Sequence, residues 1–343
     1  MRALRVVRHG APAEALELVD IPVPDAGPGE VRIAVSAASV NFGDIARCRG
    51  TVASVMGQVP FTLGMDVCGV VDATGEGAEE WLGRRVVAMT NQSFGGMAEA
   101  AIAPRASVFD APTELDDVEA AAFTLPFHTG YLALHTRAQL QADETLVVVG
   151  AAGAVGTAVI QLGVASGARV VALAAGVEKG RVCEDLGATV IDYATDDVFD
   201  RVMELTDGNG ADVVCDLVGG DRTETIWTFV ARGGRYLPVG FNDDPESGNT
   251  GRPLRKVSMG NISVLGVMLG YADMPIELRR FGINTFPPAT GVEVHDALSK
   301  LVTVGSIRPI VGRRIGLREV AAALDDHEHR RTTGRTVVDV SAG

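Results

Sequence analysis

The chain has 343 residues, of which 44 are acidic and 30 are basic, and its formal net charge is −14. That charge argues against a protein that follows nucleic-acid phosphates, because such binding needs clustered positive charge. Hydrophobic residues at 47% and charged residues at 22% exclude a largely disordered chain, and the length predicts two domains with a sizeable core.

The spacing of the cysteines argues against a zinc ribbon, and the glycines in the most apolar stretch argue against a membrane-spanning helix. Cys48, Cys68, Cys183 and Cys215 form no Cys-x-x-Cys pair, which argues against a zinc ribbon. No secretory hydrophobic region opens the sequence, so we expect a cytoplasmic protein. The uncharged stretch 145–168 is long enough to span a bilayer, but five glycines interrupt it, and we interpret it as a buried strand, a turn and a buried helix.

The chain changes character twice. Residues 1–121 have the pattern of a β-rich, barrel-like domain, with β-type runs at 31–35, 67–71 and 85–89 between turn residues. Strands and helices then alternate, which predicts a parallel, doubly wound sheet and an α/β fold class. Residues 271–343 return to a mixed pattern, and we expect them to rejoin the first domain. The strands predicted for the sheet are 145–149, 169–174, 188–191, 212–216, 235–239 and 262–269, with helices at 197–205 and 221–230 between them.

The strongest motif is the glycine turn after the first of these strands. Its spacing is Gly-x-x-Gly-x-x-Gly, from Gly150 to Gly156, and a helical stretch follows it. Glycines let a backbone approach a pyrophosphate, and a helix N-terminus offers free N–H groups. We therefore predict a dinucleotide site that includes Gly153, Ala154, Val155 and Gly156; a turn needed only for packing is the alternative.

The second strand of the sheet indicates which dinucleotide binds. NAD sites carry an acidic residue near this point, which accepts the ribose 2′-OH. Here the strand ends in Ala174-Ala175-Gly176, and Lys179 and Arg181 follow. Cations pair with a 2′-phosphate, so NADPH is favoured, with Ala175 among the residues beside it. Both basic residues could instead be solvated helix residues, an interpretation we favour for Arg181 only.

The whole chain resembles the medium-chain dehydrogenase/reductase superfamily and, within it, the zinc-independent NADPH:quinone oxidoreductase family. The resemblance implies a GroES-like catalytic domain over residues 1–121, a Rossmann domain over 122–270 and a return to the catalytic domain over 271–343. It implies an active site in the cleft between the domains and homodimers that pair through the last Rossmann strand, near 262–269. The matching motifs are Ser39-Val40-Asn41-Phe42-Gly43-Asp44 and residues 60–71, 95–99, 125–131, 305–309 and 333–335.

The resemblance also implies the residues that bind NADPH. Lys179 and Tyr193 would hold the 2′-phosphate, and Asn41 and Thr129 would lie near the nicotinamide. The remaining residues implied along the cofactor are Val218, Gly240 and Phe241.

Zinc alcohol dehydrogenases are the nearest rival family. Where they resemble this chain, a ligand cysteine falls at Asn41 and a Gly-His-Glu motif falls at Gly64-Met65-Asp66. A thiolate and an imidazole are both missing, so we predict no metal site. Asp44 is expected to be a structural partner of the nearby backbone or of Arg49.

Without zinc, hydride transfer is easiest to an acceptor that is already electron-poor. Quinones and α,β-unsaturated carbonyls meet that condition, and the absence of the family's tyrosine from residues 51–57 favours the latter. We predict that the Asn41 amide donates a hydrogen bond to the developing enolate oxygen, with solvent supplying the proton. The alternative for Asn41 is a residue that only shapes its loop.

The alternative functions are a non-catalytic, crystallin-like NADPH-binding protein and a zinc alcohol dehydrogenase. No membrane or nucleic-acid partner is expected.

Overall fold

The computed structural model describes residues 1–51, 58–240, 255–273 and 282–341. The chain divides into two compact units. Unit 1 consists of Met1–Leu125, Gly270–Val304 and Arg308–Gly343, and unit 2 consists of Pro126–Leu269 and Gly305–Ile307.

The strands and helices are numbered here in chain order. The strands are β1 Arg2–Val6, β2 Leu16–Asp20, β3 Glu30–Ser39, β4 Phe61–Thr62, β5 Asp66–Thr74, β6 Arg85–Met89, β7 Ala100–Pro104, β8 Val108–Asp110, β9 Thr145–Val149, β10 Arg169–Ala174, β11 Thr189–Asp192, β12 Ala211–Asp216, β13 Val230–Pro238, β14 Ser263–Val264, β15 Val311–Ile315 and β16 Arg335–Asp339. The α-helices are α1 Pro12–Ala15, α2 Phe42–Arg49, α3 Asp117–Ala121, α4 Thr124–Tyr131, α5 Ala154–Ala165, α6 Val177–Asp185, α7 Val198–Leu205, α8 Thr223–Ile226, α9 Arg255–Gly260, α10 Pro288–Thr303 and α11 Val320–Glu328.

Unit 1 is built on a seven-stranded sheet in the order β15-β16-β3-β5-β6-β8, with β7 also paired to β3. A smaller sheet has the order β2-β1-β4. Apolar side chains such as Val31 and Ile33 alternate along β3 and enter the core of this unit. The C-terminal strand returns to this sheet, since β16 lies antiparallel to β3 with Val337 opposite Ser39.

Unit 2 contains a six-stranded parallel sheet in the order β11-β10-β9-β12-β13-β14. Both faces of its central strands are buried, which explains their continuous apolar runs. The fold class predicted from the sequence is therefore confirmed. Two elements are shorter than predicted: the sixth strand is only Ser263–Val264, and the helix predicted over 221–230 is α8, with 3₁₀ turns on either side.

The uncharged stretch 145–168 contains β9, the glycine turn and α5, as predicted. None of the helices in the described part of the chain is long and apolar enough to cross a membrane.

Candidate active site

A buried ion pair lies at the centre of the candidate site in unit 1. Asp66 begins β5 and is fully buried, and Arg335 begins β16 and is 4% exposed. Arg335 Nη2 donates to both carboxylate oxygens of Asp66, at 2.9 and 2.8 Å. Burial raises the pKa of Asp66, whereas the nearby Arg335 and Asn41 act in the opposite direction. Strands β5 and β16 both pair with β3, which brings together two residues that are 269 positions apart.

The side-chain amide of Asn41 belongs to the same cluster. Its Nδ2 donates to Asp66 Oδ1 at 2.9 Å and to the backbone oxygen of Ser39 at 3.3 Å. These contacts use both N–H groups of the amide, and the flipped amide would set oxygen against oxygen. The N–H of Asp44 donates to the backbone oxygen of Asn41 at 3.0 Å, and Asn41 and Asp44 form a capping box at the start of α2. The amide oxygen points away from Asp66, and the predicted donation from Asn41 to an enolate oxygen stays a prediction.

Asp44 and Arg47 extend the cluster along α2. Asp44 Oδ2 accepts the backbone N–H of Asn41 at 2.9 Å, and its Oδ1 lies 3.6 Å from Arg47 Nη1. Both side chains are buried, and burial raises the pKa of Asp44 to about 6. Of the two partners expected for Asp44, only the backbone is observed, because Arg49 instead pairs with Glu328 at 2.7 Å.

The donor set at this position does not fit zinc. Asn41 supplies an amide, Met65 supplies a thioether, and both carboxylate oxygens of Asp66 bind Arg335. Protein zinc sites use thiolate, imidazole and free carboxylate ligands. Within residues 1–51, 58–240, 255–273 and 282–341, no three His, Cys, Asp or Glu side chains are grouped to hold a metal ion.

The glycine turn joins β9 to α5 in unit 2. Gly150 has φ +77°, which favours glycine, and a Cβ on Gly156 would lie 2.4 Å from the carbonyl oxygens of Gly150 and Ala151. Gly153 precedes α5 and differs from these two, because a Cβ there would meet only the Gly150 oxygen at 3.5 Å. Gly156 is thus required by the packing of the turn, whereas Gly153 leaves open space beside the N-terminus of a twelve-residue helix.

Asp216 organises the loop that follows β12. Its Oδ1 accepts the backbone N–H groups of Val218 and Gly219 at 3.0 and 2.9 Å, and its Oδ2 accepts the Tyr236 hydroxyl at 2.6 Å. The carboxylate is fully buried, so these hydrogen bonds replace its hydration. Asp216 therefore fixes the position of the loop without being exposed itself.

This loop lies against the glycine turn and the end of β13. A Cβ on Gly150 would lie 3.0 Å from Val218 Cγ2. The N–H of Gly240 donates to the Asp216 backbone oxygen at 3.0 Å, and a Cβ on Gly240 would lie 1.9 Å from the Leu217 oxygen. The structure thus brings the predicted cofactor residues Val218 and Gly240 together beside the glycine turn.

An acidic residue does lie near the tip of β10, but it comes from the neighbouring strand. Asp192 ends β11, and its Oδ2 accepts the N–H of Gly176 at 3.0 Å. Its Oδ1 accepts the N–H of Ala194 at 2.9 Å. Both oxygens therefore bind the backbone, which holds the turn that contains Ala175 and leads into α6.

The predicted 2′-phosphate residues lie at the same edge of the sheet. Lys179 is half-buried on α6, Arg181 is exposed on the same helix, and Tyr193 directly follows β11. The guanidinium carbon of Arg222 lies 5.1 Å from the centroid of the Tyr193 ring, a cation–π contact. Thr129 is buried on α4, and Phe241 and residues 52–57 lie outside the described residues.

Comparison with known proteins extends these observations to the whole chain. Two family models match it: an alcohol dehydrogenase GroES-like domain over residues 27–113 and a zinc-binding dehydrogenase over residues 154–282. The quinone oxidoreductase of Lama guanicoe is 31% identical over 98% of this chain and 97% of its own length. The quinone oxidoreductase of Pseudomonas aeruginosa is also 31% identical, over 98% of this chain and 99% of its own. The chain belongs to the quinone oxidoreductase family.

Solved structures agree with that membership. The quinone oxidoreductase of Thermus thermophilus, solved alone and with NADPH, is 33% identical, with a TM-score of 0.79 over 99% of this chain and 100% of that one. A probable oxidoreductase from Mycobacterium abscessus is 32% identical, with a TM-score of 0.83 over 99% of each chain. The family and the GroES-like and Rossmann domains predicted from the sequence are confirmed.

Three further residues of this quinone oxidoreductase family member were not identified from the sequence. Asp216 was detectable as a charged residue at the end of an apolar strand. Arg335 belongs to the matching motif 333–335, but its pairing with Asp66 had no local signal, because the two residues are remote in the chain. Arg222 also had none, because its contact with Tyr193 depends on the order of the strands.

Proposed function

We propose that the protein is a zinc-independent, NADPH-dependent oxidoreductase that reduces a quinone or an α,β-unsaturated carbonyl. The observation that carries this proposal is the set of contacts of Asp66, whose carboxylate binds Arg335 and Asn41 where the zinc dehydrogenases have metal ligands. Without a Lewis acid, the acceptor itself must be electron-poor. NADPH supplies a hydride when bound; an enone that receives it becomes an enolate, and a proton from solvent completes the saturated carbonyl.

We propose that unit 2 holds the cofactor. The open space at Gly153 and the free N–H groups at the start of α5 suit a pyrophosphate. A relative of this chain has been solved with NADPH bound. The residues proposed to contact the cofactor are Asn41, Thr129, Gly153, Ala154, Val155, Gly156, Ala175, Lys179, Tyr193, Val218, Gly240 and Phe241.

In unit 1, Asn41 acts through its oxygen in this proposal. Asp66 and Arg335 hold the amide so that Oδ1 faces away from the ion pair and accepts a hydrogen bond from the nicotinamide end of the cofactor. The role of Asn41 is then to orient the ring that transfers hydride, and Asp66 and Arg335 are positioning residues.

We also propose that two copies pair through β14, in the cytoplasm. This strand is the outermost of the unit 2 sheet, and Val264 on it is 41% exposed. Within the part of the chain that the structure describes, no strand pairs with its outer edge, and a strand edge of this kind is a surface that a second copy can continue. The four cysteines are buried and unbonded, which suits a reducing compartment.

The proposal is tested by the loss of NADPH absorbance with EDTA-treated protein and three acceptors: a 1,4-quinone, a 2-alkenal and a simple ketone. We expect oxidation with the quinone or the alkenal, no effect of EDTA, and slower reaction with NADH. Ketone reduction that is lost with EDTA, together with one zinc per chain, would identify a zinc dehydrogenase. NADPH binding without oxidation by any acceptor would identify the non-catalytic alternative.

A further inference from the structure

We propose that Arg222 binds the 2′-phosphate of NADPH and sets the preference for NADPH over NADH. This inference rests on the proposed function and adds a residue that neither the glycine motif nor the position of Lys179 reveals. Its starting point is the contact between Arg222 and Tyr193, two residues that follow different strands of the unit 2 sheet.

The order of the strands places the Arg222 side chain across the edge of the sheet. Tyr193 follows β11 and Arg222 follows β12, and β10 and β9 lie between these strands. Neighbouring strands are about 4.8 Å apart, so the ends of β11 and β12 are separated by about 14 Å. The loop that follows β12 and the Arg222 side chain together span this distance, since the guanidinium carbon lies 5.1 Å from the centroid of the Tyr193 ring. In open parallel sheets, dinucleotides bind in the crevice at these tips.

The contact with the Tyr193 ring leaves the Arg222 guanidinium able to bind an anion. A cation–π contact does not use the N–H donors of a guanidinium, and its five N–H donors lie in its plane. The guanidinium forms no ion pair and donates no hydrogen bond to other described residues, and the side chain is exposed. Phosphate oxygens fit such a planar fork through two parallel hydrogen bonds.

The Tyr193 side chain is partly buried and packs against the core of unit 2, and the backbone on either side of it is anchored. The backbone N–H of Asp192 donates to Asp196 Oδ2 at 3.1 Å, and Asp192 Oδ1 accepts the N–H of Ala194 at 2.9 Å. Tyr193 thus lies between two anchored residues and provides a preformed platform for Arg222.

Local positive charge matters here because the chain as a whole carries a net charge of −14. A 2′-phosphate adds about two negative charges to the ligand, so cations close to it must offset the field of the protein. Lys179 on α6 is one such cation, and Arg222 in the loop after β12 supplies a second in this proposal.

The test measures dissociation constants for NADPH and NADH by fluorescence titration, and for 2′,5′-ADP and 5′-AMP by competition. We expect Arg222→Ala to weaken binding of NADPH and 2′,5′-ADP at least tenfold and to change binding of NADH and 5′-AMP less than twofold. Arg222→Lys should lie between the two proteins, because an ammonium lacks the planar fork. Arg181→Ala is the matched control, with the same charge change on an exposed arginine, and should change NADPH binding less than twofold.

Thermal unfolding of each variant verifies that the fold is intact. Equal weakening of all four ligands by Arg222→Ala would show that Arg222 stacks on adenine, and unchanged binding would show that it touches no ligand; either result overturns the inference. Wild-type protein that binds neither NADPH nor NADH would instead overturn the proposed function, which keeps the two failures distinct.

Discussion

The two units use polar groups in opposite ways. In unit 1, the side chains of Asn41, Asp66 and Arg335 bond to one another, and Asp66 and Arg335 are almost completely buried. At the edge of the unit 2 sheet, the carboxylates of Asp192 and Asp216 bond mainly to backbone N–H groups. The first arrangement makes the fold depend on each member, whereas the second shapes loops around space that remains open to a ligand. Substitutions in unit 1 should therefore reduce stability most, and substitutions in unit 2 should reduce binding most.

The largest effect is expected from breaking the buried pair. Arg335→Met leaves the Asp66 carboxylate buried without its counter-charge, which should lower the free energy of unfolding by about 3–5 kcal/mol. The control is Arg49→Met, which removes a partly exposed pair with Glu328 and should cost less than about 1 kcal/mol. Equal losses in urea unfolding of the two variants would contradict the distinction.

Asp44 should make stability fall as the pH rises. Its pKa is raised from 3.8 to about 6, so between these values the folded protein holds a proton that the unfolded chain has released. The difference in unfolding free energy between the wild type and Asp44→Asn should drop by about 2 kcal/mol from pH 4 to pH 7. A difference that does not vary with pH would show that Asp44 titrates normally.

Gly153→Ala should separate binding from folding in unit 2. The added Cβ meets no atom closer than 3.5 Å, so the melting temperature should stay within about 1 °C, while NADPH affinity falls about tenfold, or about 1.4 kcal/mol. Gly156→Ala, whose Cβ would lie 2.4 Å from two carbonyl oxygens, should instead destabilise the protein. Unchanged NADPH affinity in folded Gly153→Ala would remove this turn from the cofactor site.

The smallest effect is expected at Asn41, and its size distinguishes two roles. Loss of one acceptor should lower kcat/KM about fivefold in Asn41→Ala, or about 1 kcal/mol. An amide that donates to the enolate oxygen would instead be worth about 100-fold or more in kcat. Steady-state kinetics at saturating NADPH, with the melting temperature as control, decides between these roles.

Local patterns predicted most of the fold. Strands β9 and β10 have the bounds predicted from their apolar runs. Strand β13 starts at Val230, five residues earlier than predicted, because Gly233 and Gly234 look like a turn in the sequence but lie within the strand. The glycine pair is tolerated there because β12 and β14 pair with the residues that follow it.

The candidate site was less accessible from the sequence. Asn41 was identified by type and position, but the orientation of its amide depends on Asp66, and Asp66 in turn binds Arg335. Such contacts between distant parts of the chain leave no periodic pattern. The same holds for Arg222, whose neighbour Tyr193 is separated from it by two strands of the sheet.

The position of Arg335 has a consequence for synthesis on the ribosome. Asp66 is made early, and its counter-charge is made only after a further 269 residues have been added. The nascent chain therefore contains all of Pro126–Leu269 before unit 1 can neutralise its buried carboxylate. Since domains generally fold as units during translation, we expect the unit 2 sheet to complete its pairing first and the late arrival of β16 to close the cluster that holds Asn41.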